Sequence, residues 1–116
     1  MDYNNTDIII ARATPIGKSA LAIIRLSGPA LKNMLLNFFP KNAFVPQQAT
    51  LKKIKTLKSN LILDSCIIIF YQNPKSFTGE DMLEISCHGN DLNVNQIINE
   101  FISAGAKQAY PGEFSY

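Results

Sequence analysis

Two charged side chains stand inside apolar runs, where a purely structural strand would carry none. Arg25 interrupts "ALAIIRLSG" and Glu84 interrupts "MLEISCH". Strand periodicity puts Arg25 on the side of Leu21 and Ile23, and Glu84 on the side of Met82, Ser86 and His88. A charge in a central strand is costly unless it is paired or offered to a ligand. Two readings of the residues stay open. One is structural: a half-buried Arg25–Glu84 ion pair, or two unrelated residues at a sheet surface. The other is a pocket in which the carboxylate accepts hydrogen bonds from an amide-and-amine edge and the guanidinium meets a ligand carboxylate. Both groups suit planar partners, because each can form two parallel bonds at once.

Other groupings of reactive residues are weaker. Gly17-Lys18-Ser19 resembles the end of a phosphate-binding P-loop, but that loop needs a second glycine five residues before the Gly-Lys pair, and Arg12 stands there. It also needs a helix starting at the lysine, whereas the residues that follow are β-branched and end at Gly28-Pro29. The triplet is therefore not a nucleotide site. Cys87 and His88 are neighbours on a strand and point to opposite faces, so they do not share a metal ion. Cys66 and Cys87 read as small buried hydrophobes. His88 reads first as hydrogen-bonded structure, with a base or ligand role as the alternative. Lys52, Lys53, Lys55 and Lys58 read as a solvated edge hairpin in preference to an RNA-contacting patch, since no aromatic residue interleaves with them. The stretch "SFTGEDMLEISCHGN" is a well-capped connection or part of a binding site.

The elements that must position these groups follow from periodicity. Asp7–Arg12 and Ala20–Ser27 read as strands. Leu31, Met34, Leu35, Phe38 and Phe39 recur at helical spacing, and Pro40 stops that helix. Ala49–Leu57 reads as an exposed strand, with a turn at Lys58–Asn60. A longer strand runs from about Leu61 to Tyr71, bent near Asp64-Ser65. "QNPKSFTGED" is a loop, and Met82–His88 alternates as a strand. Gly89-Asn90-Asp91 turns the chain, with Asp91 as N-cap. Val94, Ile97, Ile98, Phe101 and Ile102 define a second helix, stopped at Gly105, and a last strand follows near Ala106–Tyr110. The pattern is an α+β domain, a mixed sheet with helices packed on it.

Composition sets the frame. The 116 residues suffice for one domain with a single core. With 47% hydrophobic and 17% charged residues the chain has the balance of a folded protein. Eleven basic against nine acidic residues is too even to imply nucleic-acid binding by itself. The apolar runs are too short to span a bilayer, and "MDYNNTDIII" is no secretory signal, so the expected location is cytoplasmic.

Three longer stretches carry a family resemblance. "DIIIARATPIGKSALAIIRLSGPA", "NPKSFTGEDMLEISCHGN" and "GAKQAYPGEFS" occur in order and span nearly the whole chain. They resemble the N-terminal domain of the tRNA-modification GTPase family known as MnmE or TrmE. The resemblance implies that residues 1–116 are a tetrahydrofolate-binding and homodimerisation domain, with a fold similar to aminomethyltransferase-type folate-binding domains. It implies a 5-formyltetrahydrofolate-type ligand. GTP, magnesium and potassium belong to a GTPase domain absent here, so the chain reads as a fragment that is not catalytic alone. The full-length protein, with a flavin-dependent partner, is expected to modify carbon 5 of the tRNA wobble uridine. The family's folate-contacting arginine and glutamate match Arg25 and Glu84; a further folate-contacting lysine lies beyond the end of this chain. On that reading Ile23 and Leu83 are expected to frame the flat ring. Ser19, Ala20 and Ala22 stand where the family is richer in glycine, and Asn90 replaces a usual glycine. The alternative these departures motivate is an assembly module without a working folate site. An independent one-carbon transferase ranks below both.

Overall fold

Two antiparallel hairpins, one strand between them and a short strand at the edge make the sheet. The computed structural model describes residues 7–14, 17, 20–39, 45–72 and 80–109. The first hairpin pairs β1 (Ile9–Arg12) with β2 (Leu21–Ser27). The second pairs β3 (Thr50–Lys55) with β4 (Ile62–Tyr71). The fifth strand, β5 (Met82–His88), lies between β2 and β4, antiparallel to both. A short β6 (Lys107–Gln108) runs parallel to β1, giving the order β3-β4-β5-β2-β1-β6. Helix α1 (Leu31–Phe38) connects the hairpins, and α2 (Asp91–Ser103) connects β5 to β6. The protein is thus an α+β fold with a mixed six-stranded sheet and two helices.

Strand alternation decides which face is core. Ala22, Ile24 and Leu26 of β2, Leu83, Ile85 and Cys87 of β5, and Cys66, Ile68 and Phe70 of β4 are all buried on one face. Both helices cover that face: Leu31, Met34 and Leu35 of α1 and Val94, Ile97, Ile98 and Phe101 of α2 join the same cluster. Phe38 stacks on Phe101 with ring centroids 4.2 Å apart, which locks the helices together. The opposite face carries Ile23, Arg25, Glu84, Ser86 and Ile69, all only partly buried.

Two glycines have structural reasons. A Cβ on Gly28 would lie 2.3 Å from the Asp7 carbonyl oxygen and 2.9 Å from Ile8 Cα, so β1 passes directly over this residue. Gly105 takes φ +118°, beyond the reach of most side chains, and ends α2 as its position predicts.

Some expectations need correction. The N-cap of α2 is Asn90, not Asp91: the Asn90 Oδ1 accepts from Asn93 N–H at 2.8 Å, and Asp91 is the first helical residue. The bend expected near Asp64-Ser65 is a register shift in the β3–β4 ladder, where Ile54 pairs with Asp64 and Lys55 with Ile62. The last strand is only two residues long, because it pairs with β1 at just two positions. Pro40, the centre of "QNPKSFTGED" and everything from Tyr110 onward lie outside the described residues.

Candidate functional site

Arg25 and Glu84 meet. They sit in the two central strands and are direct register partners, Arg25 of β2 opposite Glu84 of β5. The Arg25 Nε donates to Glu84 Oε2 at 3.1 Å, with the side chains 25% and 16% exposed. Ala11 flanks Arg25 on one side and Ile69 flanks Glu84 on the other. Four strands therefore contribute one residue each to a row on the face turned away from the helices. A carboxylate offers about four acceptor sites, so this bond leaves room for further donors.

Tyr71 completes this group and was not foreseen. It closes β4 in register with Met82, two pairs along from the Ile69–Glu84 row and on the same face. Burial raises its phenol pKa, the Glu84 charge raises it further, and the Arg25 charge opposes both. The phenol is thus within the field of both charged residues and stays protonated at neutral pH. The signal was available, since Tyr71 shares strand parity with Ile69, but only the β4–β5 register shows which residue it neighbours. Leu83 is a correction. It is fully buried on the helix-covered face, opposite to Glu84, so it cannot frame a ring lying against that carboxylate. Ile69 and Ile23 lie on the face that carries Arg25 and Glu84. The strand Leu21–Ser27 after Gly17 leaves no helix N-terminus there, which removes the P-loop reading.

Comparison with known proteins bears on this arrangement. The family model for the GTP-binding protein TrmE N-terminus matches residues 8–116. The chain belongs to the TrmE N-terminal family. It is 43% identical over 110 residues to the tRNA modification GTPase MnmE of Thermotoga petrophila, covering 94% of this chain and 24% of that protein. The MnmE of Nitratiruptor sp. is 41% identical over 115 residues (99% of this chain, 25% of the relative). That of Helicobacter pylori is 40% identical over 109 residues, covering 94% and 24%. The chain spans about a quarter of the length of these relatives.

Two polar clusters brace this TrmE N-terminal domain around the site. Asp64 is nearly enclosed, with its side chain 9% exposed. It accepts from the His88 ring Nδ1 at 2.7 Å, the His88 backbone N–H at 2.9 Å, Asn93 Nδ2 at 2.9 Å and the Ser65 N–H at 2.8 Å. Burial alone would raise its pKa, but the bonds from His88 and Asn93 outweigh burial and lower it. His88 is therefore hydrogen-bonded structure, as its first reading held, tying the end of β5 to β4 and α2. Its ring remains 70% exposed.

The second cluster centres on Arg12, which the sequence marked only as an obstacle to a P-loop. Arg12 Nη1 donates to Asp91 Oδ1 at 2.6 Å and Nη2 donates to the Gly17 carbonyl at 3.2 Å. Gly17 N–H also reaches Asp91 at 3.3 Å. The Arg12 bond holds the Asp91 carboxyl below its ordinary range, helped by the Gly17 amide. This clamp fastens the β1–β2 connection to the start of α2. Among the described residues, no group of three or more His, Cys, Asp or Glu is placed to hold a metal, and no helix is long and apolar enough to cross a membrane.

Proposed function

We propose that this domain binds a reduced folate of the 5-formyltetrahydrofolate type at Arg25 and Glu84 and pairs with a second copy of itself. One observation carries the reading: the two charges that the strands should not contain are direct register partners on the open face of the sheet. A pterin edge presents a 2-amino group beside a ring N–H, and a carboxylate can accept both. In the ligand-free protein Arg25 compensates the Glu84 charge, so neither group is buried uncompensated before ligand arrives. The phenol of Tyr71 and the apolar Ile69 and Ile23 give the flat ring one polar neighbour and two apolar ones.

The same face supports the dimer. Leu21, Leu51 and Ile67 are 58%, 69% and 48% exposed, and Leu51 pairs with Ile67 on the side of the sheet that carries Glu84. Exposed aliphatic residues grouped beside a ligand site favour coverage by a self-complementary partner. Its relatives are named tRNA modification GTPases, which supports placing this domain in a protein that modifies carbon 5 of the tRNA wobble uridine in the cytoplasm. GTP, magnesium, potassium and the flavin-dependent partner act through the remainder of that protein.

Calorimetric titration with 5-formyltetrahydrofolate, against oxidised folate as control, tests the reading. Saturable binding is expected, weakened by ~2–5 kcal/mol in Glu84→Gln, the scale for truncating one partner of a desolvated charged contact. Unchanged binding in that variant refutes the assignment of Glu84. Concentration-dependent dimerisation with no folate heat favours an assembly module instead.

A further inference from the structure

The two thiols of the core stand opposite each other. In the antiparallel β4–β5 ladder Ile68 pairs with Ile85 and Ile67 with Ser86. One step further along the same register, Cys66 faces Cys87. Both are 1% exposed and both belong to the cluster under the helices, so their side chains leave the sheet on the same side. Burial is the main reason the Cys66 thiol pKa is raised, and the charges of Asp64 and Cys87 add to it.

The kind of pair decides how close the sulfurs come. Antiparallel ladders alternate between pairs that exchange backbone bonds and pairs that do not, and side chains stand closer in the second kind. The Gly89 N–H donates to the Ala20 carbonyl at 3.2 Å, so at Gly89 the backbone polar groups face β2. Two residues earlier, Cys87 turns its own the same way, toward its β2 partner Ala22. His88, between them, turns its N–H to the β4 side, where Asp64 Oδ2 accepts it at 2.9 Å. Cys66 and Cys87 are therefore a non-hydrogen-bonded pair. The Cα separation of such pairs, about 4.5 Å, lies inside the range of ~4.4–6.8 Å over which disulfides form. The Cys87 Sγ–H now donates weakly to the Ala22 carbonyl at 3.6 Å; a turn about χ1 carries the sulfur toward Cys66 instead.

We propose that Cys66 and Cys87 are a reversible dithiol, closed to a cross-strand disulfide by small disulfides of the glutathione type and reopened by thiols. The Cys87 thiolate attacks one sulfur of glutathione disulfide and expels a glutathione thiolate. The Cys66 thiolate then attacks the Cys87 sulfur of the mixed disulfide and expels the second. Two protein thiols are oxidised, one glutathione disulfide is reduced, and the two protons shed by the cysteines end on the two glutathiones. Burial holds the Cys87 thiol up to about 11, so exchange runs in molecules whose α2 has lifted from the sheet, and the bond persists when α2 packs back. The ring so closed contains residues 67–86, and with them Tyr71 and Glu84. The device is a lock: under oxidising conditions it fastens β5, the strand shared by both hairpins, to β4. Disulfides in reducing compartments are usually transient and redox-sensing, and a lock that thiols reopen has that character.

The test equilibrates the whole chain with mixtures of reduced and oxidised glutathione, approached from both the dithiol and the disulfide side. Acid quenching, alkylation with N-ethylmaleimide and intact mass then count free thiols and mixed disulfides. The squared glutathione concentration divided by that of its disulfide, at half-conversion, is the effective concentration of one thiol at the other. It is expected to be at least ~10-fold higher in the folded chain than in the chain unfolded in urea, because the register holds the two sulfurs together. Tenfold is about 1.4 kcal/mol, so the disulfide form should melt at least about 5 °C above the dithiol form. Cys66→Ala and Cys87→Ala, each leaving a small apolar side chain, should show no such gain in the same mixtures. An equal or lower effective concentration in the folded chain overturns the proposal, as does build-up of the glutathione mixed disulfide in place of the internal bond. The folded-against-unfolded comparison uses wild type alone and stands even if a variant fails to fold.

Discussion

Replacing Gly28 by Ala tests whether the "RLSG" glycine is needed for the passage of β1. The new Cβ would sit 2.3 Å from the Asp7 carbonyl oxygen and 3.1 Å from Ile8 Cγ1. An ordinary contact requires roughly an ångström more than the first of these distances, and the obstacle is backbone that cannot rotate away. The start of β1 must therefore lift from β2. Ile8 and Ile10 are 5% and 0% exposed, each worth about 2–3 kcal/mol of burial, and a gap of this size forfeits a quarter to a half of the contact energy. Packing loss of about 1–3 kcal/mol joins strain of about 1–3 kcal/mol. At about 4 °C per kcal/mol for a domain of this size, the melting temperature should fall by about 8–24 °C in a thermal scan followed by circular dichroism. Gly105→Ala is the control. Its Cβ would meet only Met34 Cε at 3.8 Å, so its cost comes from the positive φ and should be about 1–2 kcal/mol. A Gly28→Ala protein melting within about 2 °C of wild type would refute the steric argument.

The acid limb of stability should follow Asp64 and Asp91. Both carboxyl pKa values are lowered in the folded state from 3.8, so the unfolded chain binds protons more readily over that window. Their stabilisation is complete above about pH 5 and is lost as pH falls through the folded values. Urea midpoints measured against pH should show that loss, and Asp64→Asn should flatten it; an unchanged acid limb in the variant would contradict the bond pattern at Asp64. Thiol reactivity gives an independent check on the core. Burial pushes the Cys87 thiol up to about 11 and raises Cys66 further, so neither should react with Ellman's reagent at about pH 8 until the protein is unfolded. Stoichiometric labelling of the native protein would mean that the face under α2 opens.

The parts of this fold legible in sequence were those governed by local periodicity. Val94 to Ile102 defined α2 because its apolar stripe is unbroken, and the strand Met82–His88 followed from its alternation. The same alternation already placed Leu83 on the face away from Glu84; naming it as a ring neighbour put sequence adjacency above side-chain direction. Arg25 and Glu84 were visible as charges out of place. Their pairing was not, because they are separated by 59 positions and only the insertion of β5 beside β2 makes them partners. Tyr71 was hidden for the same reason. The N-cap was misplaced by one residue because Asn90 and Asp91 are both good capping types, and backbone geometry chooses between them.

The position of β5 also has a consequence for synthesis of the chain. Both hairpins leave the ribosome before their common neighbour does, so β2 and β4 are unpaired edges until residues 82–88 emerge. "CIIIFY" and "ALAII" are the kind of segments that associate between molecules during such a delay. A charge in the middle of an open edge is one of the devices that prevents it. Arg25 sits at that point of β2, and the arrival of Glu84 neutralises it at the moment protection is no longer needed. Before it is part of any site, the arginine guards the seam that the glutamate closes.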